Sequence, residues 1–271
     1  MNEATNISKR VLITGASSGI GAQLAKDYLA DGWTVYGCGR SSARLMAITG
    51  IEPLVFDITV REGVQSAGRR LANLLQKQPL DMIILNAGDC EYIDDPLAFD
   101  DKLFERVIRT NLIATGYCLN AFLPLISPQG QLALMSSSAA YLPLPRAEAY
   151  GASKAGLNYL ARTLAVSFGA KADTAAISVS LICPGFVATA LTAKNDFPMP
   201  MCLSVEQASA YIQAGLAARQ AEIHFPRRFT FALKLLALLP AGLWRYLAGR
   251  ALVNTSGHAG RQVKNNKDVT Q

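Results

Sequence analysis

"RVLITGASSGIG", residues 10–21, is a short apolar run that ends in a loop of glycines and serines. A continuous run such as RVLIT suits a strand buried on both faces, and a helical pattern follows it over 19–31. Between the two, Gly15 permits a sharp turn, Gly19 lets backbone approach a pyrophosphate, and Gly21 allows helix and strand to pack closely. The first N–H groups of such a helix lack partners and suit an anion, with Ser17, Ser18 and Ile20 completing the loop. The spacing is G-x-x-x-G-x-G, and a glycine-rich turn alone is weak evidence for a nucleotide.

The alternation of strand and helix continues along the chain. "TVYGCG" (34–39) precedes a helix over 41–48, "PLVFD" (53–57) one over 60–78, and "LDMIILNAG" (80–88) one over 100–126. "GQLALMSS" (130–137) precedes 149–170, "AISVSLICPG" (176–185) precedes 204–221, and "EIHFP" (222–226) closes the series. Seven strands interleaved with helices predict an α/β protein: a doubly wound, seven-stranded parallel sheet, the Rossmann fold, with helices on both faces. Ligands of such sheets bind where strands end, so the residues closing each run are the candidates for a site. The expected organisation is one domain over 1–226 with a lid at 190–205, an apolar and basic helical extension at 227–253, and a disordered tail at 254–271.

Composition narrows the function. The chain has 271 residues, 51% apolar and 17% charged, enough for one substantial core. Net charge is +6, but residues 219–271 hold nine Lys and Arg against two acids, while the rest carries 17 against 18. Confinement of positive charge to an apolar tail, with no nucleic-acid motif beside it, argues against nucleic-acid binding. The five cysteines form no C-x-x-C pair and the two histidines, 224 and 258, are far apart, so neither disulfides nor a metal site is expected. The polar N-terminus "MNEATNISKR" does not read as a signal peptide, and a cytoplasmic location is expected.

"AYGASKAG", residues 149–156, sets Tyr150 and Lys154 four positions apart with small residues between them, which stacks both on one helix face. Taken with Thr14 to Gly21, this segment resembles the short-chain dehydrogenase/reductase family, in its single-domain branch. The resemblance runs from about residue 9 to 226 and includes Asp57, "NAG" at 86–88, Asn111 in "TNL", serines at 136–138 and "PGFVAT" at 184–189. Leu85 departs from it, where many members carry a second Asn before "NAG".

The resemblance implies a catalytic set of Asn111, Ser137, Tyr150 and Lys154. Tyr150 would be the acid or base, with Lys154 drawing its pKa down and binding the nicotinamide ribose. Ser137 would orient a substrate carbonyl, and Asn111 would hold a water that relays protons to Lys154. Cofactor contacts are implied for Gly15, Ser17, Ser18, Gly19, Ile20, Gly21, Arg40, Asp57, Asn86, Ala87, Gly88, Tyr150, Lys154, Pro184, Gly185, Val187 and Thr189. The second strand ends in Gly39, where NAD-selective members commonly have Asp, and Arg40 follows it. A guanidinium there holds a 2′-phosphate bidentately, so NADP(H) is expected in preference to NAD(H).

The lid sequence "ALTAKNDFPMPMCLSV" is apolar and adaptable, which leans toward a hydrophobic ketone or secondary alcohol as substrate. A non-catalytic dinucleotide-binding redox sensor is the alternative, although such modules lose the Tyr or Lys. The extension at 229–253 has three candidate roles: a cap over the site, a subunit interface, and peripheral contact with a membrane surface. Assembly as a homodimer or homotetramer through helices 100–126 and 149–170 follows by analogy with the family.

Overall fold

The computed structural model describes residues 8–250. The proposed tail at 254–271, with His258, lies outside the described residues, as do the last three residues of the proposed extension.

The strands are β1 (Arg10–Thr14), β2 (Thr34–Gly39), β3 (Glu52–Val55), β4 (Leu80–Leu85), β5 (Ile126–Met135), β6 (Ser178–Pro184) and β7 (Glu222–Phe225). All pair in parallel, in the order β3-β2-β1-β4-β5-β6-β7. Chain order reverses between β1 and β4, which leaves a crevice beyond their carboxyl ends.

The period of two along each strand explains why the runs are apolar throughout. Val11 and Ile13 of β1 point into one buried cluster with Met82, Ile84, Ala133 and Ile182. Leu12 points into the other with Ile83, Leu85, Leu132, Leu134 and Leu181. Both faces are therefore dry, and each needs helices over it. One face is covered by α1 (Gly19–Ala30) and α7 (Val205–Ala217), and the other by α3 (Arg61–Leu75), α5 (Ala114–Phe122) and α6 (Glu148–Gly169). Leu85 turns into this second cluster, 5% exposed, so the position where the family pattern has an amide serves here as core.

The helix expected over 100–126 is interrupted. It runs as α4 (Asp101–Ile108), a π-helical turn over Arg109–Ile113, and α5. Asn111 sits buried in that turn, and Thr115 Oγ1 donates to its main-chain carbonyl at 2.7 Å. Such a π turn changes the direction in which the residues around it project. The remaining helices are α2 (Ser42–Met46) and α8 (Arg227–Leu236), and residues 241–250 are also helical. Among the described residues no helix is long and apolar enough to cross a membrane.

Candidate active site

The crevice beyond β1 and β4 opens into a cavity of about 570 Å3 that runs from Arg40 and Arg44 at one end to Ser137, Tyr150 and Lys154 at the other. Its floor is the glycine loop. Gly15 and Gly19 have φ of +70° and +55°, in the left-handed region that side chains disfavour. A Cβ on Gly15 would lie 2.9 Å from the Cα of Ala87, and one on Gly21 would lie 2.3 Å from the carbonyl oxygen of Gly15. Gly21 is therefore a packing residue behind the cavity wall, while Gly15, Ser17, Ser18, Gly19 and Ile20 form that wall.

The "NAG" segment is stapled to this loop. Thr14 Oγ1 accepts from the backbone N–H groups of Asn86 and Ala87 at 2.9 and 3.1 Å, and Asn86 Nδ2 donates to the Thr14 carbonyl at 3.0 Å. Ser18, the residue before α1, makes no side-chain cap, so the first N–H groups of that helix keep their donors for a ligand.

At the far end of the cavity the β2 terminus presents Gly39, Arg40 and Arg44. Both arginines are exposed, and among the described residues neither forms an ion pair. A Cβ on Gly39 would lie 3.1 Å from Ser17 Oγ, so the acid found there in other dinucleotide sites would crowd this loop. Arg44 escaped the sequence reading because only the short helix α2 returns it to the cavity. Its closeness in sequence to Arg40 was the available signal. Ser41 does not face the cavity but caps α2, accepting from Arg44 N–H at 3.3 Å. Asp57 lines the wall while its Oδ1 accepts from the N–H and hydroxyl of Thr59, both at 2.8 Å.

Three serines follow β5, and their partners tell them apart. Ser136 Oγ donates within the core, to the Lys154 carbonyl at 3.1 Å and to Asn158 Oδ1. Ser138 is buried and opens a short 3-10 turn, away from the cavity wall. Ser137 lines the cavity beside Tyr150, and its Oγ accepts from Ala139 N–H at 3.1 Å.

Tyr150 and Lys154 project from one face of α6, with Lys154 Nζ 5.7 Å from the Tyr150 ring centroid. Burial pushes the Tyr150 phenol above its ordinary range, the Cys90 and Cys183 thiols add to this, and the Ser137 hydroxyl opposes it. Burial also lowers Lys154 to about 8, while its Nζ donates to the Met135 carbonyl at 2.8 Å. In the chain by itself desolvation thus dominates both groups, and the lowering of Tyr150 expected from Lys154 does not emerge.

Asn111 does not reach the cavity wall. Its Nδ2 donates to the Asp89 carbonyl at 2.8 Å and to Ser153 Oγ at 2.9 Å, and its Oδ1 accepts from Asp89 N–H at 2.7 Å. The amide thereby locks the segment after β4 onto α6. A Cβ on Gly88 would come within 3.1 Å of Asn111 Oδ1 and 3.2 Å of Lys154 Nζ, so this glycine lets both groups approach one point.

Pro184, Gly185, Val187 and Thr189 complete the wall, with Thr189 over the glycine loop, 3.4 Å from a Cβ placed on Gly19. Beyond them the lid is held by aromatic contacts. Phe197 meets Tyr92 and Phe186 at centroid distances of 5.3 and 6.1 Å, and Phe186 meets Phe229 of α8 at 5.5 Å. Arg146 clasps this group: it bonds Asp94 at 2.7 Å and Asp196 at 2.8 Å, and lies over the Tyr92 and Phe197 rings. Neither Tyr92 nor Arg146 carries a local sequence signal, because their partners come from three separate segments. His224 has a structural place, its Nδ1 2.7 Å from Thr230 Oγ1. Among the described residues no group of His, Cys, Asp and Glu could hold a metal.

Comparisons with known proteins agree with this geometry. The family model for short chain dehydrogenases matches residues 9–198. An uncharacterized oxidoreductase of Myxococcus xanthus is 30% identical over 255 residues, covering 89% of this chain and 97% of that protein. The 11-beta-hydroxysteroid dehydrogenase 1A of Arabidopsis thaliana is 31% identical over 215 residues, 76% of this chain and 60% of its own length. The solved structure of a short chain dehydrogenase/reductase from Burkholderia phymatum in complex with NAD aligns with a TM-score of 0.73, at 18% identity, over 84% of this chain and 92% of that one.

If Arg146 holds the lid closed, Arg146→Gln exposes it. Limited proteolysis is expected to cut within 190–205 faster in the variant, and added salt should speed cleavage of the unmodified chain toward the same rate. Identical cleavage of both proteins at every salt concentration would show that the aromatic contacts alone suffice.

Proposed function

Since the chain belongs to the short-chain dehydrogenase family and is an oxidoreductase using a nicotinamide dinucleotide, we propose that it interconverts a bulky hydrophobic ketone and its secondary alcohol with NADP(H). The observation that carries this reading is the convergence of the Ser137 hydroxyl, the Tyr150 phenol and the Lys154 ammonium at one end of a cavity whose other end is cationic.

In the proposed complex the glycine loop and the α1 N-terminus hold the pyrophosphate, and Arg40 with Arg44 holds the 2′-phosphate. Asp57 and the segment Asn86 to Gly88 flank the adenosine half, Lys154 holds the nicotinamide ribose, and Pro184, Gly185, Val187 and Thr189 take the carboxamide. When bound, the cofactor supplies or accepts a hydride.

The chain's own part is positioning and proton transfer. Ser137 donates to the substrate oxygen and fixes its direction. Tyr150 gives its proton to that oxygen in reduction and takes it back in oxidation. Burial keeps the phenol protonated, which suits the donor role, and a cationic Lys154 offsets the phenolate that remains after transfer. Asn111 acts through Asp89 and Ser153, keeping Lys154 in register with Tyr150, and a water between Asn111 and Lys154 would resupply the proton.

Tyr92, Phe186, Phe197 and Phe229 pack on one another beneath the lid segment, and an apolar aromatic group beside the reacting end supports a hydrophobic substrate. The Arabidopsis relative is named for a hydroxysteroid, a substrate of that kind. Assembly through α4, α5 and α6 is part of the same proposal, and Tyr159 and Val166 of α6 are exposed, as is Ile113 of the π turn that joins α4 to α5.

The first experiment follows 340 nm absorbance with NADPH across ketones of increasing apolar size. Activity should rise along the series and fall by roughly 10²–10⁴-fold in Tyr150→Phe. Tight NADPH binding with no turnover of any member would overturn the substrate class. Arg40→Ala with Arg44→Ala should weaken NADPH binding by at least about tenfold and leave NADH nearly unchanged, since a charge-assisted bond contributes roughly 1.5–3 kcal/mol. Equal effects on both cofactors would remove the 2′-phosphate assignment.

A pH dependence follows from Lys154. Its pKa near 8 means that it is charged below pH 8 and neutral above. If the charged form holds the ribose, binding must raise that pKa, and NADPH affinity must fall as pH climbs through about 8. Fluorescence titration should find this decline in the unmodified chain and a flat profile over the same range in Lys154→Met. A decline that persists in the variant would assign the effect elsewhere.

A further inference from the structure

The described chain ends in two helices whose outer faces the catalytic reading leaves unused: α8 and residues 241–250, separated by Pro240. Their inner faces are fixed to the domain. Thr230 and Leu233 are buried, Phe229 packs on Phe186, and Trp244 Nε1 donates to the Pro143 carbonyl at 2.9 Å.

The outer faces are apolar and largely exposed, although Phe231 meets the His224 ring edge-on at 4.9 Å. Phe231 and Leu235 recur at i and i+4 on α8 with exposures of 56 and 69%, and Leu238, in the turn that follows the helix, is 80% exposed. Leu243, Tyr246 and Leu247 recur at i, i+3 and i+4, exposed by 46, 58 and 40%. Two amphipathic helices in succession that turn their apolar stripes to solvent form a surface in want of a partner.

Charge identifies that partner. Residues 227–250 contain Arg227, Arg228, Lys234, Arg245 and Arg250 and no acid. Lys234 is engaged by Glu222 at 2.8 Å, and the four arginines are exposed. A second copy docking by the same face across a two-fold axis would set arginines against arginines. An anionic bilayer surface suits both features, because leucines enter the headgroup and acyl boundary while arginines meet phosphates. Among the described residues neither helix is long enough to span a bilayer, so the proposed contact lies in its plane.

We propose that α8, the turn after it and residues 241–250 form a docking surface for an anionic lipid bilayer, with Phe231, Leu235, Leu238, Leu243 and Leu247 inserted at the headgroup level. The inference stands independently of the reaction catalysed.

The test is co-sedimentation of the full chain with vesicles of phosphatidylcholine alone and of phosphatidylcholine with phosphatidylglycerol in equal parts. Binding is expected to the mixed vesicles, weakening as salt rises, and weak or absent on phosphatidylcholine. Leu235→Glu with Leu238→Glu should lower partitioning at least about tenfold without moving the unfolding temperature, since both side chains are exposed. Arg227→Gln with Arg228→Gln, which leaves the apolar stripe intact, should also weaken binding to the mixed vesicles. No binding to either vesicle, or partitioning unchanged in both variants, overturns the proposal. So does a dimer in solution that Leu235→Glu dissociates, because the face would then be covered by a second copy.

Discussion

The crevice between β1 and β4 stays open because of one close approach: the N-terminus of α1 against the turn that leads into it. The Cα of Gly21 sits so near the Gly15 carbonyl that any side chain there would have to displace it. Asn86 fills the other side, its amide bonded to the Thr14 carbonyl. Loop, helix terminus and the end of β4 therefore form one rigid piece, and every functional group of the cavity is placed relative to it. Rigidity matters because donors that hold a pyrophosphate must already point at it before binding.

At the opposite end, the reacting groups are held by polar bonds buried between elements. Ser136 joins β5 to α6, Asn111 joins the π turn to α6 and to Asp89, and Lys154 reaches back to Met135. Each bond satisfies a group that would otherwise be costly to bury. Together they tie down the Ser136 hydroxyl, while Ser137, just after β5, and Tyr150 of α6 line the cavity beside it. Burial is also what shifts their chemistry. It favours a neutral phenol and a neutral amine, so charge enters the site at a cost that a bound cationic ring or a developing oxyanion can offset.

Much of this was legible in the sequence. Apolar runs of five or six residues read as strands because both faces of a parallel sheet are dry, and the glycine loop, "NAG", Tyr150 and Lys154 announce themselves by spacing. The π turn was not legible, since a single inserted residue leaves the hydrophobic pattern of 100–126 nearly unchanged. Arg146 was invisible for another reason. Its function lies in partners 52 and 50 residues away, Asp94 and Asp196, that only the tertiary fold brings together. Gly21 shows the reverse case, a residue correctly singled out by motif whose contact is with the protein behind the wall.

The C-terminal helices resolve a choice that composition leaves open. An apolar segment with regular cations reads equally as a cap, an interface or a membrane contact, because periodicity cannot say which stripe faces inward. Packing separates the stripes. Phe229 closes on Phe186 and Gly185, Trp244 ties residues 241–250 to the loop between Ser137 and Tyr150, and Lys234 joins Glu222, which also accepts from Tyr141. The inner stripe is thus packed against the domain. That leaves the outer stripe, with Leu235, Leu243 and Leu247, turned to solvent beside exposed arginines.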